Sequence, residues 1–200
     1  MKPMKTPRPL PEELQGRPFT AAEAARAGVS VKRLRHRSLA RPGKGIREDG
    51  PTGELALTIR VRPFIEVNER CAASHLTAAE LLALPRQQRK ELADMFDIIR
   101  PEGAAHLNRP HVIVHRMKLY EDEVTVHQGI PVTTPERTWL DLAEVLSLDA
   151  LVVAGDSCVR VPRPDLESRD MPLCNLADLQ RMIDRLKEKE DCGRPRKRSS

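Results

Sequence analysis

The chain has very few aromatic residues: three Phe, one Tyr and one Trp among its 200 residues. Proteins that bind single-stranded nucleic acid stack the bases on aromatic side chains. The N-terminal basic region, described below, contains only Phe19. The composition therefore argues against single-strand binding by stacking, and it favours duplex DNA if this protein binds nucleic acid.

Paired cysteines are also missing. The four cysteines are scattered, and none belongs to a CxxC pair. This spacing is typical of free thiols in a reducing compartment, and it favours neither a disulfide framework nor a zinc site. The residues concerned are Cys71, Cys158, Cys174 and Cys192.

Long apolar runs are absent as well. No stretch reaches the roughly 18 consecutive apolar residues that a membrane-spanning helix needs. The N-terminus is charged and rich in proline, and no apolar segment follows it of the kind found in signal peptides. We therefore expect no membrane association and a cytoplasmic location.

The sequence lacks the common patterns of catalytic and nucleotide-binding sites. Neither GxxxxGK nor GxGxxG occurs, so no phosphate-binding glycine loop is predicted. The acidic run 188–191 has no apolar strand around it, and the triplet 121–123 has no base paired with it. We interpret the run 188–191 as a solvated helix end and the triplet 121–123 as a turn. Ser74 and His75 are neighbours, whose side chains point apart on a helix, so they are not predicted to be a catalytic pair.

Several histidines lie close together in sequence. His111 and His115 are four residues apart, with His106 and His127 nearby. Imidazole is a good zinc ligand, but no regular ligand spacing accompanies these residues, and histidines on a sheet surface are the preferred interpretation. We expect no enzyme, no catalytic residues, no metal site and no cofactor.

Positive charge is concentrated at the N-terminus. Residues 1–47 contain twelve Lys or Arg against three Asp or Glu, a net charge of +9, whereas the whole chain carries +5. Residues 48–192 carry −8, and the last eight residues add four cations. Such asymmetry predicts a polyanion-binding region joined to an acidic body with another role.

Residues 19–36 have the pattern of two short helices around a glycine turn. Thr20 is placed to cap a helix over Ala21–Ala27 by accepting from the amide of residue 22 or 23. Gly28 suits the left-handed residue that ends a helix, and Ser30 can cap the next one. A helix-turn-helix has this geometry, and its second helix enters the DNA major groove. The alternative is an ordinary helical hairpin with a solvated basic face.

The predicted DNA-binding residues lie in and after the second helix. Val31 and Leu34 are spaced to face inward, which leaves the cations between them facing outward. The segment Ser38–Arg47 contains glycines and cations, and it is interpreted as the wing of a winged helix, although Pro42 weakens it as a strand. The eight candidates are Lys32, Arg33, Arg35, His36, Arg37, Arg41, Lys44 and Arg47.

The rest of the chain predicts an α+β fold. Residues 54–67 are amphipathic but interrupted by Pro63, and helices are predicted at 74–84 and 87–99. Short β-branched runs follow, which predict a small antiparallel sheet packed by helices. The runs are 111–116, 123–127 and 130–133.

Three further helices are predicted towards the C-terminus. Thr134 and Pro135 mark the start of the first, in which Trp139 and Leu142 lie on an apolar stripe. We predict that this helix belongs to the core. Ser147 and Asn175 are placed to cap the other two, 148–160 and 176–186, and the proline-containing segment between them is predicted to be a loop.

Four segments, in order, resemble the AbiEi family of bacterial antitoxins and related actinobacterial proteins. They are residues 19–30 (FTAAEAARAGVS), 74–82 (SHLTAAELL), 111–116 (HVIVHR) and 129–143 (GIPVTTPERTWLDLA). The resemblance covers roughly residues 12–160. It implies an N-terminal winged helix that binds double-stranded operator DNA, and a C-terminal domain that counters a toxin resembling nucleotidyltransferases.

The chain departs from the family pattern in two respects. The segment Arg41–Arg47 lacks the usual glycine-valine-tyrosine ending, and the longer actinobacterial relatives continue into a Vsr-like endonuclease domain where this sequence stops. Four regions are expected: a disordered N-terminus, a winged-helix-like DNA-binding domain, an AbiEi-like α+β domain and a disordered basic tail. Their bounds are 1–10, 11–50, 51–190 and 191–200.

The leading hypothesis is a DNA-binding transcriptional regulator of the AbiEi antitoxin type, acting as a monomer or weak homodimer. One alternative is a truncated relative of the Vsr-like endonucleases that lacks its catalytic domain. The other is a protein-interaction module whose basic face contacts an acidic partner without binding DNA.

Overall fold

The computed structural model describes residues 7–68, 70–85, 95–103, 110–163, 165 and 169–193. The strands in these ranges are β1 Pro18–Thr20, β2 Ile46–Glu48, β3 Ala72–Ala73, β4 Phe96–Pro101, β5 Val112–Met117, β6 Val124–His127 and β7 Ile130–Thr133. The helices are α1 Ala21–Arg26, α2 Val31–Leu34, α3 Leu57–Glu66, α4 His75–Leu81, α5 Pro135–Leu142, α6 Leu148–Val159 and α7 Leu176–Gly193. Short 3-10 helices lie at Glu12–Leu14 and Glu121–Glu123. The fold is α+β, as the sequence predicts.

The N-terminal region forms by local interactions that the sequence predicts. The Thr20 hydroxyl accepts a hydrogen bond from the amide of Glu23, and the Glu23 carboxylate accepts one from the amide of Thr20, so α1 begins with a capping box. Gly28 has φ +74°, which suits a glycine after the helix end. Ser30 caps α2 through the amide of Arg33. β1 and β2 pair antiparallel beside these helices, an arrangement compatible with a winged helix.

A small apolar core holds this region together. Its members include Leu14, Phe19, Ala24, Leu34 and Leu39, all of them buried. Leu10 also belongs to it, although the sequence placed residues 1–10 in a disordered segment. Burial of these side chains fixes α1 and α2 against the preceding segment.

The second helix differs from the prediction in two ways. α2 ends at Leu34, with Arg35 as its C-cap, so His36 and Arg37 lie in the turn that follows. Val31 does not face inward, because its side chain is 62% exposed. α2 is only four residues long, and Leu34 is its buried residue.

The main sheet has five strands in the order β5-β4-β3-β7-β6. The pairs β4–β5 and β3–β7 are parallel, and β3–β4 and β6–β7 are antiparallel. The predicted strands are confirmed, and a hairpin around Gln128 and Gly129 joins β6 to β7. The sheet is mixed and larger than predicted. Parallel pairing joins segments far apart in sequence, which local periodicity does not reveal.

Two predictions of local structure are wrong in this region. α3 runs through Pro63, which is buried, although its ring nitrogen has no proton to donate to the carbonyl of Ile59. The helix predicted for 87–99 is replaced at its end by β4, where Phe96, Ile98 and Ile99 are buried in the sheet. Residues 87–94 of that prediction lie outside the described residues.

Two apolar cores meet at α4. The larger one joins α3 to the sheet through residues such as Val61, Phe64 and Ile98, and it includes Ile46 of β2. The N-terminal region therefore packs against the body of the chain. The other core contains Leu76 and Ala79 from α4, Leu142 from α5 and residues from α6 and α7.

Trp139 packs half-buried against this second core, and its indole nitrogen donates to the carbonyl of Leu151, at 3.0 Å. The predicted caps Ser147 and Asn175 are confirmed by hydrogen bonds to the amides of Ala150 and Asp178. Thr134 precedes α5 as predicted, but its hydroxyl makes no capping bond.

The cysteines whose side chains are described form no disulfide, and all three are buried: Cys71, Cys158 and Cys174. None of the helices in the described ranges is long and apolar enough to span a membrane.

Candidate functional site

The basic N-terminal surface contains the eight residues predicted to contact DNA. Lys32 and Arg33 lie in α2, and Arg47 lies in β2. The others lie in the cap and loop between these elements, namely Arg35, His36, Arg37, Arg41 and Lys44. Most of these side chains are exposed, whereas Arg33, His36 and Arg47 are half-buried.

Hydrogen bonds join three of these arginines to the backbone near α2. Arg47 Nε donates to the carbonyl of Leu34 at 2.7 Å, and Arg41 Nη2 donates to the carbonyl of Arg35 at 2.7 Å. Arg33 Nε donates to the carbonyl of Arg8 at 2.8 Å. The first two contacts satisfy carbonyls at the end of α2, and all three place positive charge around this helix.

Burial and neighbouring positive charge both act on the pKa of Arg47. Burial, and then the neighbouring charge of Arg41, lower the pKa of Arg47. The guanidinium stays charged at neutral pH, because an arginine pKa lies far above it. A polyanion at this surface would relieve the repulsion between the two arginines.

A second group of polar residues is buried where β3 and β7 end. These strands are parallel neighbours, and α4 and α5 begin directly after them, so the two helices start at the same edge of the sheet. Thr133 and Thr138 are both fully buried there, and their hydroxyls are 2.7 Å apart. Buried polar groups of this kind need mutual partners.

Arg137 lies at the centre of a buried ion-pair network. Its side chain is 1% exposed, and it donates to Glu123 Oε2 at 2.5 Å and to Asp141 Oδ1 at 2.8 Å. Glu123 and Asp122 also pair with Arg185 of α7. The network joins the turn before β6 to α5 and α7. Glu121–Glu123 forms a short 3-10 helix where the sequence predicted a turn, and Glu123 is buried in it.

Asp141 is the carboxylate of this network that is least well compensated in its buried position. Desolvation by burial raises its pKa to about 6, although the Arg137 charge acts in the opposite direction. Its second oxygen, Oδ2, is buried and has no hydrogen-bond partner among the described residues. The charges of His115 and Glu144 also act on it.

A histidine pair lies next to this network. The rings of His75 and His115 are stacked, with centroids 3.5 Å apart and planes 16° from parallel. His115 Nε2 is 2.9 Å from Asp97 Oδ1, and His75 Nε2 is 3.6 Å from Glu144 Oε2. His75, His115 and Glu144 place one possible ligand atom each within 4.8 Å of one another.

The sequence did not identify this polar group. It associated His115 with His106, His111 and His127, but His75 is the residue that reaches it. His106 lies outside the described residues, and His111 contacts Phe64 edge-on. The sequence feature that could have indicated the buried network is the i, i+4 spacing of Arg137 and Asp141. The same spacing is equally typical of a solvated helix face.

Comparison with protein families gives one match that covers more than half of the chain. The model described as "AbiEi antitoxin C-terminal domain" matches residues 71–186. This range contains all of the main sheet, the ion-pair network around Arg137 and the stacked pair of His75 and His115. The chain belongs to the AbiEi antitoxin family, as its sequence resemblance indicates.

Among solved structures, one similar chain is the RV2827C protein from Mycobacterium tuberculosis. It is 18% identical, with a TM-score of 0.47, over 90% of this chain and 67% of the other. No curated protein matches this chain.

Proposed function

We propose that this protein is a transcriptional regulator of the antitoxin type that binds duplex DNA through its basic N-terminal surface. The observation that carries the proposal is the placement of Arg33, Arg41 and Arg47 around α2, within a segment of net charge +9. Charge gathered around one short helix favours contact with phosphates on both sides of a groove.

Exposed residues of α2 would make the contacts within the groove. Val31 and Lys32 are exposed at the start of the helix, and Arg35 is exposed at its end. An apolar side chain beside cations suits a thymine methyl group next to hydrogen-bonding base edges. Arg37, Arg41 and Lys44 would contact phosphates from the loop, and Arg47 would do so from β2.

The regional division is also a proposal. Residues 11–50 would form the DNA-binding domain and 51–190 the AbiEi-like domain. Ile46 belongs to the core of the second region, so we expect the two to unfold together. Binding as a weak homodimer, or as two monomers on inverted repeats, would follow from the symmetry common among helix-turn-helix operators.

A gel-shift titration with the full-length protein tests DNA binding. We expect a shift of the duplex from its own promoter region, weakened by salt, and little shift of either single strand. The scarcity of aromatic residues supports this preference. Absence of a duplex shift at low salt would overturn the proposal.

The acidic body would bind a partner toxin, which we propose to resemble nucleotidyltransferases. Membership of an antitoxin family supports a toxin partner. Leu148 and Val152 of α6 are 76% and 61% exposed, one helical turn apart. Exposed apolar residues in such a position are typical of a protein interface.

Co-purification with a neighbouring nucleotidyltransferase-like gene product tests this partner. We expect a complex that is lost on Leu148→Ser with Val152→Ser and retained on Val126→Ser, an exposed valine of β6. Loss in all variants alike, or no complex with the unchanged chain, would contradict the proposal.

A further inference from the structure

We propose that His75, His115 and Glu144 bind one divalent transition-metal ion, of which Zn²⁺ is the best match. Their possible ligand atoms lie within 4.8 Å of one another. Two imidazoles and one carboxylate are a common ligand set for such ions, with a fourth position left for water.

Three separate elements bring these residues together. His75 is the first residue of α4, His115 lies in β5, and Glu144 lies two residues after the end of α5. His75 has φ +47°, a left-handed conformation that is uncommon for residues other than glycine. The surrounding fold maintains this strain, and it directs a fully buried imidazole towards Glu144.

Neighbouring groups would orient both histidines. The Ser74 hydroxyl is 3.1 Å from His75 Nδ1, while His75 Nε2 faces Glu144. The Asp97 carboxylate is 2.9 Å from His115 Nε2. A carboxylate or hydroxyl bonded to a histidine ring is the usual support of a metal-binding histidine, because it fixes the tautomer and the ring orientation.

The charge around the cluster also favours a cation. Asp97 and Asp141 are both buried, and Asp141 Oδ2 has no hydrogen-bond partner among the described residues. Glu144 adds a third carboxylate, half-exposed to solvent. Arg137 neutralises only part of this charge, since it also pairs with Glu123. A dication would stabilise the buried carboxylates in their ionised form.

Binding requires a small rearrangement. Nearly parallel rings cannot direct lone pairs at one ion, so one imidazole must rotate as the ligand atoms close to about 2.0–2.2 Å from the metal. Glu144 can follow, because its side chain is 54% exposed. We therefore expect the metal to separate the stacked rings.

Metal titration of the chelator-treated, full-length protein tests the site. Calorimetry with Zn²⁺, and Co²⁺ absorption in the visible range, are expected to give one equivalent with a tetrahedral cobalt spectrum lacking thiolate charge transfer. Glu144→Gln should weaken Zn²⁺ binding at least about 10-fold, since even supporting residues contribute that much. Glu121→Gln, at an exposed glutamate, should leave it unchanged.

Circular dichroism and melting temperature check that each variant is folded. His115→Gln provides a second ligand variant, and it should abolish the cobalt spectrum. DNA binding by Glu144→Gln should be unchanged. Equal Zn²⁺ affinity in the Glu144→Gln and Glu121→Gln variants, or a cobalt spectrum showing cysteine ligation, would overturn the proposal.

Discussion

Arg137 is the largest fully buried side chain in the described ranges, and it is charged. It is buried between Glu123 and Asp141, so three ionised groups share one interior site. Removing these three charges from water is costly, and the ion pairs are maintained only by good geometry and hydrogen bonds. The ion pairs therefore specify how α5 meets the turn before β6, and their loss leaves charges without compensation.

Replacing Arg137 with Met should destabilise the protein by about 3–5 kcal/mol, because the buried Asp141 loses its cation and Glu123 keeps only the longer contact to Arg185. Urea denaturation followed by circular dichroism measures this. The control is Arg181→Ala, which removes an exposed arginine paired with Asp178 and should cost less than about 1 kcal/mol. Similar losses in the two variants would contradict the buried network.

Asp141 should make stability depend on pH in an unusual direction. Its pKa is about 6 in the folded chain, against about 3.9 for an unfolded aspartate. The folded state therefore binds more protons between these values. Protonation of Asp141 therefore increases the free energy of unfolding. This contribution is fully present below about pH 4 and is lost as pH rises through about 6.

Urea denaturation across this pH range checks the prediction. Relative to Asp141→Asn, the unchanged chain should lose roughly 2–3 kcal/mol of unfolding free energy between about pH 4 and 7. Asp149→Asn, at an exposed aspartate of α6, should follow the unchanged chain. Parallel profiles for the Asp141→Asn variant and the unchanged chain would show that Asp141 titrates normally.

At the scale of elements, local signals predicted where several helices begin. The caps at Thr20, Ser30 and Ser147 were predictable because the capping residue and its amide partner are at most three residues apart. β4 was not, because Phe96 and Ile99 fit a helical spacing and acquire strand structure only by pairing with β3 and β5. The polar sites were hidden for the same reason. Glu123 precedes Arg137 by fourteen residues, and His75 precedes His115 by forty.

The contact between α5 and α6 depends on a glycine. A Cβ at Gly155 would lie 2.8 Å from Trp139 Nε1, so Gly155→Ala must displace the indole and break its bond to Leu151. We expect a loss of about 1–3 kcal/mol from this crowding. Displacement of the indole should also shift the tryptophan fluorescence emission to the red. The signal can be assigned to Trp139, because it is the only tryptophan in the sequence.

Thermal melting and tryptophan fluorescence measure the effect. The matched control is Gly53→Ala, where a Cβ meets nothing within 4 Å, and it should leave both readings unchanged. Unaltered fluorescence in the Gly155→Ala variant would contradict the close contact of the two helices.

At the scale of the whole molecule, charge separates two regions of the chain that packing joins. The charge asymmetry separates a basic N-terminus from an acidic body, and it was visible in the sequence. Packing joins them, since α3 contacts β1 and Ile46 enters the main core. A ligand bound at the N-terminal surface can therefore be held in a fixed orientation relative to the antitoxin domain.

The salt dependence of duplex binding tests the central claim most directly. With about five phosphate contacts, log affinity should fall against log salt with a slope of about −4 to −5. Arg37→Ala with Lys44→Ala, which removes two of the proposed phosphate contacts, should reduce the magnitude of that slope by about 2. Arg181→Ala with Lys187→Ala removes the same charge from α7 and should leave it unchanged. Equal slopes for the two double variants, or no duplex binding at low salt, would contradict a DNA-binding N-terminal surface.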